Sequence, residues 1–282
     1  MIHGTIKDLQ ALLDLTAAGD NEFSGNHVAD ARARVYGGQF LGQGLIAASR
    51  LCPGPVQSFH CYYIRPGMLD APLTYTTARL SNSLVAVLAR QHGKVLFSMD
   101  VAFGDYQGGP HATMPRVPPP ARCIPREEGI QGLDNNTDST WAVTDSPFDY
   151  RFVENIWQDG FSTPGHSVWF RARDVSQVGP DMSQTMAQAM TAYFSDDPIM
   201  DNALFPHGWH RAWTELQTAS LDHAMWFHAP VDLRRWLLFA QDSPVAAGGR
   251  ALARGQLFDE QGTLIASAAQ EILMRVPGEA AS

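Results

Sequence analysis

Asp181-Met182-Ser183-Gln184-Thr185-Met186-Ala187-Gln188-Ala189-Met190-Thr191-Ala192-Tyr193-Phe194-Ser195-Asp196-Asp197-Pro198 is the stretch whose reading decides the fold. Asp181 is an N-cap candidate, with Gln184 as its capping-box partner three residues on. Pro198 disfavours helical geometry at residue 197 and predicts the helix end there. Met182, Met186, Ala187, Ala189, Met190, Ala192, Tyr193 and Phe194 cover more than one face. A helix apolar nearly all round must be wrapped by other structure. Its predicted last turn carries Asp196 and Asp197 at the negative end of the helix dipole, at a cost of roughly 0.3–1 kcal/mol per charge. Solvent or chemistry has to account for them.

Composition frames that helix. The 282 residues are 45% hydrophobic and 17% charged, which suits a globular protein with a full core. A net charge of −9 gives nucleic acid no electrostatic footprint to bind. No apolar run approaches the ~18 residues of a membrane span, and residues 1–8 lack the basic-then-apolar layout of a signal peptide. Cys52, Cys61 and Cys123 have neither CxxC nor metal-ligand spacing and read as reduced packing residues of a cytoplasmic protein.

The chain before the opening stretch has its own helix and strands. Leu9, Leu12, Leu13 and Leu15 suggest a short amphipathic helix. A second helix is predicted over 37–50, with four glycines in eight residues, Gly37, Gly38, Gly42 and Gly44. Each glycine costs a helix about 1 kcal/mol against alanine. Close backbone packing explains them best; a helix N-terminus receiving an anion or a polarised carbonyl is the sharper reading. Strands are predicted over 58–64, 73–80, 84–91 and 95–103, giving helix and then antiparallel meander. The proline-rich stretch from Pro110 to Pro125 and the polar run 134–139 form a connector over 109–146. They divide the chain into units 1–108 and 147–282.

The second unit repeats the first. Strands are predicted over 151–155 and 168–173, then the opening helix, then strands over 222–228, 236–241, 251–258 and 264–274. Gln91-His92-Gly93-Lys94-Val95-Leu96-Phe97-Ser98 parallels Glu260-Gln261-Gly262-Thr263-Leu264-Ile265-Ala266-Ser267. The alignment puts Gln270 where the first unit has Val101. Strand alternation turns Gln270 toward the apolar face, where an unpaired amide costs about 1–3 kcal/mol. A third polar anomaly is Ala219-Ser220-Leu221-Asp222-His223-Ala224-Met225-Trp226-Phe227-His228. Simple alternation places Ser220 and His223 on opposite faces, which argues against a Ser–His–Asp triad. Zinc ligation by His223 and His228 fails on the same ground, leaving structural or substrate-facing histidines.

These residues resemble the type II acyl-CoA thioesterases, the TesB-like family of two fused hotdog domains. The matching motifs are Val35-Tyr36-Gly37-Gly38-Gln39-Phe40-Leu41-Gly42-Gln43, Ser58-Phe59-His60-Cys61-Tyr62-Tyr63-Ile64-Arg65-Pro66-Gly67, Val168-Trp169-Phe170-Arg171-Ala172-Arg173, Ala192-Tyr193-Phe194-Ser195-Asp196, the 221–228 run and Ala269-Gln270-Glu271. The resemblance implies an α+β fold, two helices each wrapped by an antiparallel sheet, with both sheets joined. It implies acyl-CoA hydrolysis by a water held by Asp196, Ser220 and Gln270, with no metal or redox cofactor. Gly38, Gln39, His60, Asp222 and His223 become substrate-contact candidates, and Arg171, Arg173, Arg250 and Arg254 candidates for coenzyme A by position. A homodimer or higher homo-oligomer is implied as well.

Three departures stand out. The run Arg79-Leu80-Ser81-Asn82-Ser83-Leu84 lacks a longer family loop and questions acyl-chain or coenzyme A contacts there. Ser220 replaces a frequent Thr. Asp197 is an acid where an apolar residue is usual, either shifting the pKa of its neighbour or facing water. Two other functions remain open: a non-catalytic acyl-CoA binder, separated by failure to release thiol, and a hotdog hydratase or dehydratase, separated by enoyl-CoA hydration. For the latter, Asp201, Asn202 and His207 lie beyond the predicted helix and are loosely spaced.

Overall fold

A computed structural model describes residues 4–27, 34–109, 112–129, 146–158, 161–179, 182–207 and 216–275. The first unit contributes helices α1 (Ile6–Leu13) and α2 (Gly37–Ser49). Its strands are β1 (Thr16–Gly19), β2 (Glu22–Gly25), β3 (Val56–Tyr63), β4 (Leu73–Arg79), β5 (Leu84–Gln91) and β6 (Lys94–Phe103). Then come β7 (Ile124–Pro125), the single-turn helix α3 (Arg126–Gly129), β8 (Phe148–Phe152), β9 (Gly165–Ala172) and α4 (Gln184–Asn202). Strands β10 (Gln217–Ser220), β11 (Asp222–Phe227), β12 (Leu237–Ala247), β13 (Arg250–Asp259) and β14 (Leu264–Arg275) close the chain.

All these strands belong to one antiparallel sheet, in the order β1-β2-β4-β5-β6-β3-β11-β14-β13-β12-β9-β8-β7, with β10 paired to β14. Read outward from the centre, β3, β6, β5 and β4 on one side match β11, β14, β13 and β12 on the other. The seam is the β3–β11 pair, in which Phe59 faces Met225 and Cys61 faces His223. This is the double hotdog architecture, with α2 and α4 at its centre. The hairpin β1–β2 is an addition to the expected elements: its four-residue strands are too short to show a clear alternation.

α4 differs from its expected limits at both ends. Asp181, expected as the cap, lies outside the described residues; Ser183 is the N-cap, its hydroxyl accepting from the Met186 N–H at 3.1 Å. Gln184 instead exchanges two hydrogen bonds with the backbone of Val231. The helix also runs on past Pro198 to Asn202. Pro198 has no N–H for the Phe194 carbonyl, a loss of about 3 kcal/mol in a helix interior. Burial of Ile199 and Met200 beyond it offsets that cost, at about 25 cal/mol per Å² of apolar surface removed from water. Asp196 and Asp197 are therefore mid-helix residues, and the expected penalty from a helix C-terminus does not apply.

The glycines of α2 find their reason in α4. A Cβ at Gly38 would lie 2.2 Å from the Tyr193 carbonyl oxygen, and one at Gly42 3.1 Å from that of Ala189. The two helix backbones meet there, and the Tyr36 hydroxyl donates to the same Tyr193 carbonyl at 2.9 Å. The described residues from Met114 to Cys123 pack on the outer sheet face, where Trp169 Nε1–H donates to the Pro118 carbonyl at 3.0 Å.

Alanine usually stabilises a helix relative to glycine. Gly38→Ala should do the opposite, lowering stability by about 1–3 kcal/mol through overpacking against Tyr193. Denaturant unfolding of the purified variant, compared with the parent, measures it.

Candidate active site

Ser220, Gln270 and Asp196 meet where three elements converge. Gln270 lies in β14, fully buried; Ser220 ends β10; Asp196 projects from α4 and is 2% exposed. The Gln270 amide Nε2 donates to Ser220 Oγ at 2.9 Å, and the Ser220 hydroxyl donates to Asp196 Oδ1 at 2.8 Å. Asp196 Oδ2 rests against Gly37, where an added Cβ would stand 2.6 Å from it. Gly37 is the first residue of α2, whose N-cap Tyr36 offers no side-chain cap. The helix start therefore presents its positive dipole end to the carboxylate.

Asp196 and Ser220 open into a cavity of about 680 Å³ lined also by Arg34, Gly37, Tyr63 and Arg65, among others; Gln270 stands behind Ser220 and does not line it. Both halves of the sequence build it: Gly37 and Tyr63 come from the first, Asp196 and Ser220 from the second. The Tyr63 hydroxyl donates to the Gly37 carbonyl at 3.3 Å. Burial and then the neighbouring Asp196 charge push the Tyr63 phenol well above its ordinary range, so it stays protonated. Strand alternation gave no sign of Tyr63, because its role depends on a helix start 26 residues away.

A break in the strand overturns the expectation that Ser220 and His223 point apart. β10 and β11 are separate strands flanking Leu221. Ser220 pairs with Ile272, whereas Ala224 pairs with Ala269, so the register slips by one residue between them. Alternation restarts after Leu221, and both side chains reach Gln270. His223 Nδ1 donates to Gln270 Oε1 at 2.5 Å, and its Nε2 faces Ser195 Oγ at 3.3 Å. Asp222 Oδ1 splints the break by accepting from the Glu271 N–H at 2.7 Å. Burial lowers the His223 pKa to about 4, partly opposed by the Gln270 hydrogen bond, so the ring is neutral near pH 7.

The other substrate-contact candidates do not line the cavity. Gly38 is closed off by Tyr193. Gln39 is a core residue, its amide donating to the Asn26 carbonyl and to Gln43. His60 is on the outer sheet face, edge-on to Trp226 at 5.1 Å. Asp222 serves the strand break, and His223, 1% exposed, lies behind Gln270. The basic candidates are also elsewhere: Arg171 pairs with Asp149, Arg173 with Glu127, Arg250 with Glu271 and Arg254 with Asp242. The arginines that line the cavity are Arg34 and Arg65.

Asp197 does not face water. It is fully buried on the second-unit side, where its charge and that of the buried Arg126 act in opposite directions on the Tyr150 hydroxyl. Residues 81–83, the short loop, form an exposed turn away from the cavity. Asp201 and Asn202 are the last buried residues of α4 rather than residues beyond it.

Known proteins are similar to this chain over most of its length. Residues 159–273 match the family model described as acyl-CoA thioesterase, and residues 27–104 the model described as acyl-CoA thioesterase N-terminal domain. Human acyl-coenzyme A thioesterase 8 is 33% identical, over 94% of this chain and 88% of its own. Acyl-CoA thioesterase 2 of Haemophilus influenzae is 31% identical, over 96% and 98%. Among solved structures, acyl-CoA thioesterase II TesB2 from Mycobacterium marinum superimposes with a TM-score of 0.76 at 32% identity, covering 96% of this chain and 99% of that one.

The depressed His223 pKa has a measurable consequence. Its folded value of about 4 lies below the ordinary 6.5, so between those pH values the unfolded chain binds the extra proton. The stability it carries is complete above about pH 6.5 and is lost as the pH falls through about 4. On lowering the pH from 7 to 4, the parent should lose roughly 3 kcal/mol more than His223→Phe. Urea unfolding at the two pH values gives the comparison.

Proposed function

We propose, from the premise that the chain belongs to the acyl-CoA thioesterase family and hydrolyses acyl-CoA thioesters, that Asp196, Ser220 and Gln270 hold and activate the attacking water. The observation that carries this reading is the Gln270–Ser220–Asp196 relay opening into a cavity whose facing wall is the start of α2. The Ser220 hydroxyl donates to Asp196 Oδ1 and orients the carboxylate at the cavity wall, where the water meets it. The water oxygen attacks the thioester carbonyl carbon while Asp196 takes its proton. The carbonyl oxygen becomes an oxyanion, received by the start of α2 at Gly37 and by the dipole of that helix. Its collapse breaks the C–S bond, and the departing thiolate takes the proton back from Asp196.

Coenzyme A brings phosphate charge to an acidic protein. Arg34 and Arg65 at the cavity wall are its counterions in this reading; Arg65 is held in place by a hydrogen bond to the Val95 carbonyl. The units 1–108 and 147–282, with 109–146 between them, act as one catalytic body because each supplies one wall. Exposed Tyr62 and Trp226 on the outer sheet face support a homodimer or higher assembly. Three free, buried cysteines fit a reducing cytoplasmic setting, and acyl-CoA hydrolysis fits a role in fatty acid metabolism. Among the described residues no helix is long and apolar enough to cross a membrane.

Asp196→Asn keeps the size and loses the base. It should lower kcat for thiol release from acyl-CoA by about 10²–10⁴-fold while thermal unfolding stays cooperative. Near-parental turnover would remove Asp196 from the mechanism. Arg34→Ala combined with Arg65→Ala should raise KM for acyl-CoA by about tenfold or more and leave kcat within about threefold. A kcat loss without a KM change would place coenzyme A elsewhere.

A further inference from the structure

We infer that His223 is a positioning residue: its Nδ1–H fixes which end of the Gln270 amide faces Ser220, and so the direction of the relay to Asp196. The inference rests on Gln270 being part of the catalytic machinery.

A glutamine amide has two ends of nearly equal size, and only its hydrogen-bond partners distinguish them. Oxygen toward Ser220 would draw the serine proton to itself and leave Asp196 without that donor. Nitrogen toward Ser220 forces the serine proton onto Asp196. The structure has the second arrangement, with four groups in one sense: His223 to Gln270, Gln270 to Ser220, Ser220 to Asp196. A neutral imidazole has one donor nitrogen and one acceptor nitrogen. Its Nδ1 gives the proton to Gln270, while its Nε2 stands by Ser195 Oγ, which is also engaged with the Ala192 carbonyl at 2.9 Å. The ring cannot turn away, because it is stacked on Phe59 with centroids 5.7 Å apart and planes 17° from parallel. Its burial keeps it neutral, so it brings no positive charge to the base.

The other half of the molecule supplies an internal control. There the residue equivalent to Gln270 is Val101, and its register partner in β3 is Phe59. In the second half the corresponding pair is Gln270 and His223. An apolar pair on one side of the seam is matched by a mutually satisfied polar pair on the other. His223 does not line the cavity, so its effect reaches the substrate through Gln270.

The test is a double-mutant cycle with His223→Phe, which copies the residue of the first half, and Gln270→Ala. His223→Phe should lower kcat by about 10–100-fold, the range seen when a partner that orients an active group is removed, with KM within about threefold. Added to Gln270→Ala, it should cost no more than about a further twofold, because its only route is already gone. His223→Asn, whose amide nitrogen falls near the Nδ1 position, should recover much of the lost kcat. If His223→Phe does not fold, His223→Leu lacks the same donor and completes the cycle. Parental kcat in the folded donor-less variant, or losses that multiply in the double variant, would overturn the inference. Parental kcat in Gln270→Ala alone would instead overturn the catalytic role of Gln270, which separates the two failures.

Discussion

The contact of two helix backbones at Gly38 and Tyr193 sets the positions of everything else. Side chains keep ordinary helices 8–10 Å apart. Here the glycines of α2 let it lie directly on α4, and the Tyr36 hydroxyl ties the two together at the same carbonyl. One turn along, that approach brings the Asp196 carboxylate onto Gly37, at the open end of α2. A buried carboxylate in the middle of a helix has no favourable dipole of its own. It borrows one from the neighbouring helix. The same contact packs the helices at Gly38 and, one residue earlier at Gly37, faces the carboxylate of the proposed base.

Much of this was legible in the residues themselves. An all-round apolar helix predicted a wrapping sheet, and helix-then-meander occurring twice predicted a joined pair. Aligning Ser98 with Ser267 singled out Gln270 as a polar residue at a core position, and the structure places it beside Ser220 and Asp196. What escaped was decided by single-residue events that a periodic pattern averages away. The register slip at Leu221 reverses the face of every residue after it, so simple alternation sends Ser220 and His223 apart while the structure brings both to Gln270. Pro198 stays helical because burial beyond it outweighs a missing hydrogen bond, and propensity carries no information on burial. Gln39, Asp222 and His60 stood in recognisable motifs, but a motif does not say which of its members face the cavity. Asp197 needed Tyr150 and Arg126, nearly fifty or more residues away, before its burial made sense.

The two ends of the β3–β11 seam have diverged in their polar groups. At the end carrying Asp196, the start of α2 is uncapped and open to the cavity. At the other, the start of α4 is occupied: Gln184 exchanges two hydrogen bonds with Val231, and the Thr185 hydroxyl donates to the Gly54 carbonyl at 2.8 Å. One turn on, Gln188 is bound to the backbone of Val56 and to the Tyr106 hydroxyl. These polar groups are all spent on closure. Polar closure is gathered at one end of the pseudo-twofold axis and the proposed site lies at the other.

Covalent fusion is what permits that division of labour. In a dimer of identical chains, every substitution appears at both ends of the seam, so a change that sharpens one site must also be tolerated at its mirror image. Phe59 could not remain phenylalanine while its counterpart became His223. Within a single polypeptide the two positions are separate codons, and the symmetry of the sheet survives as architecture without binding the side chains to it.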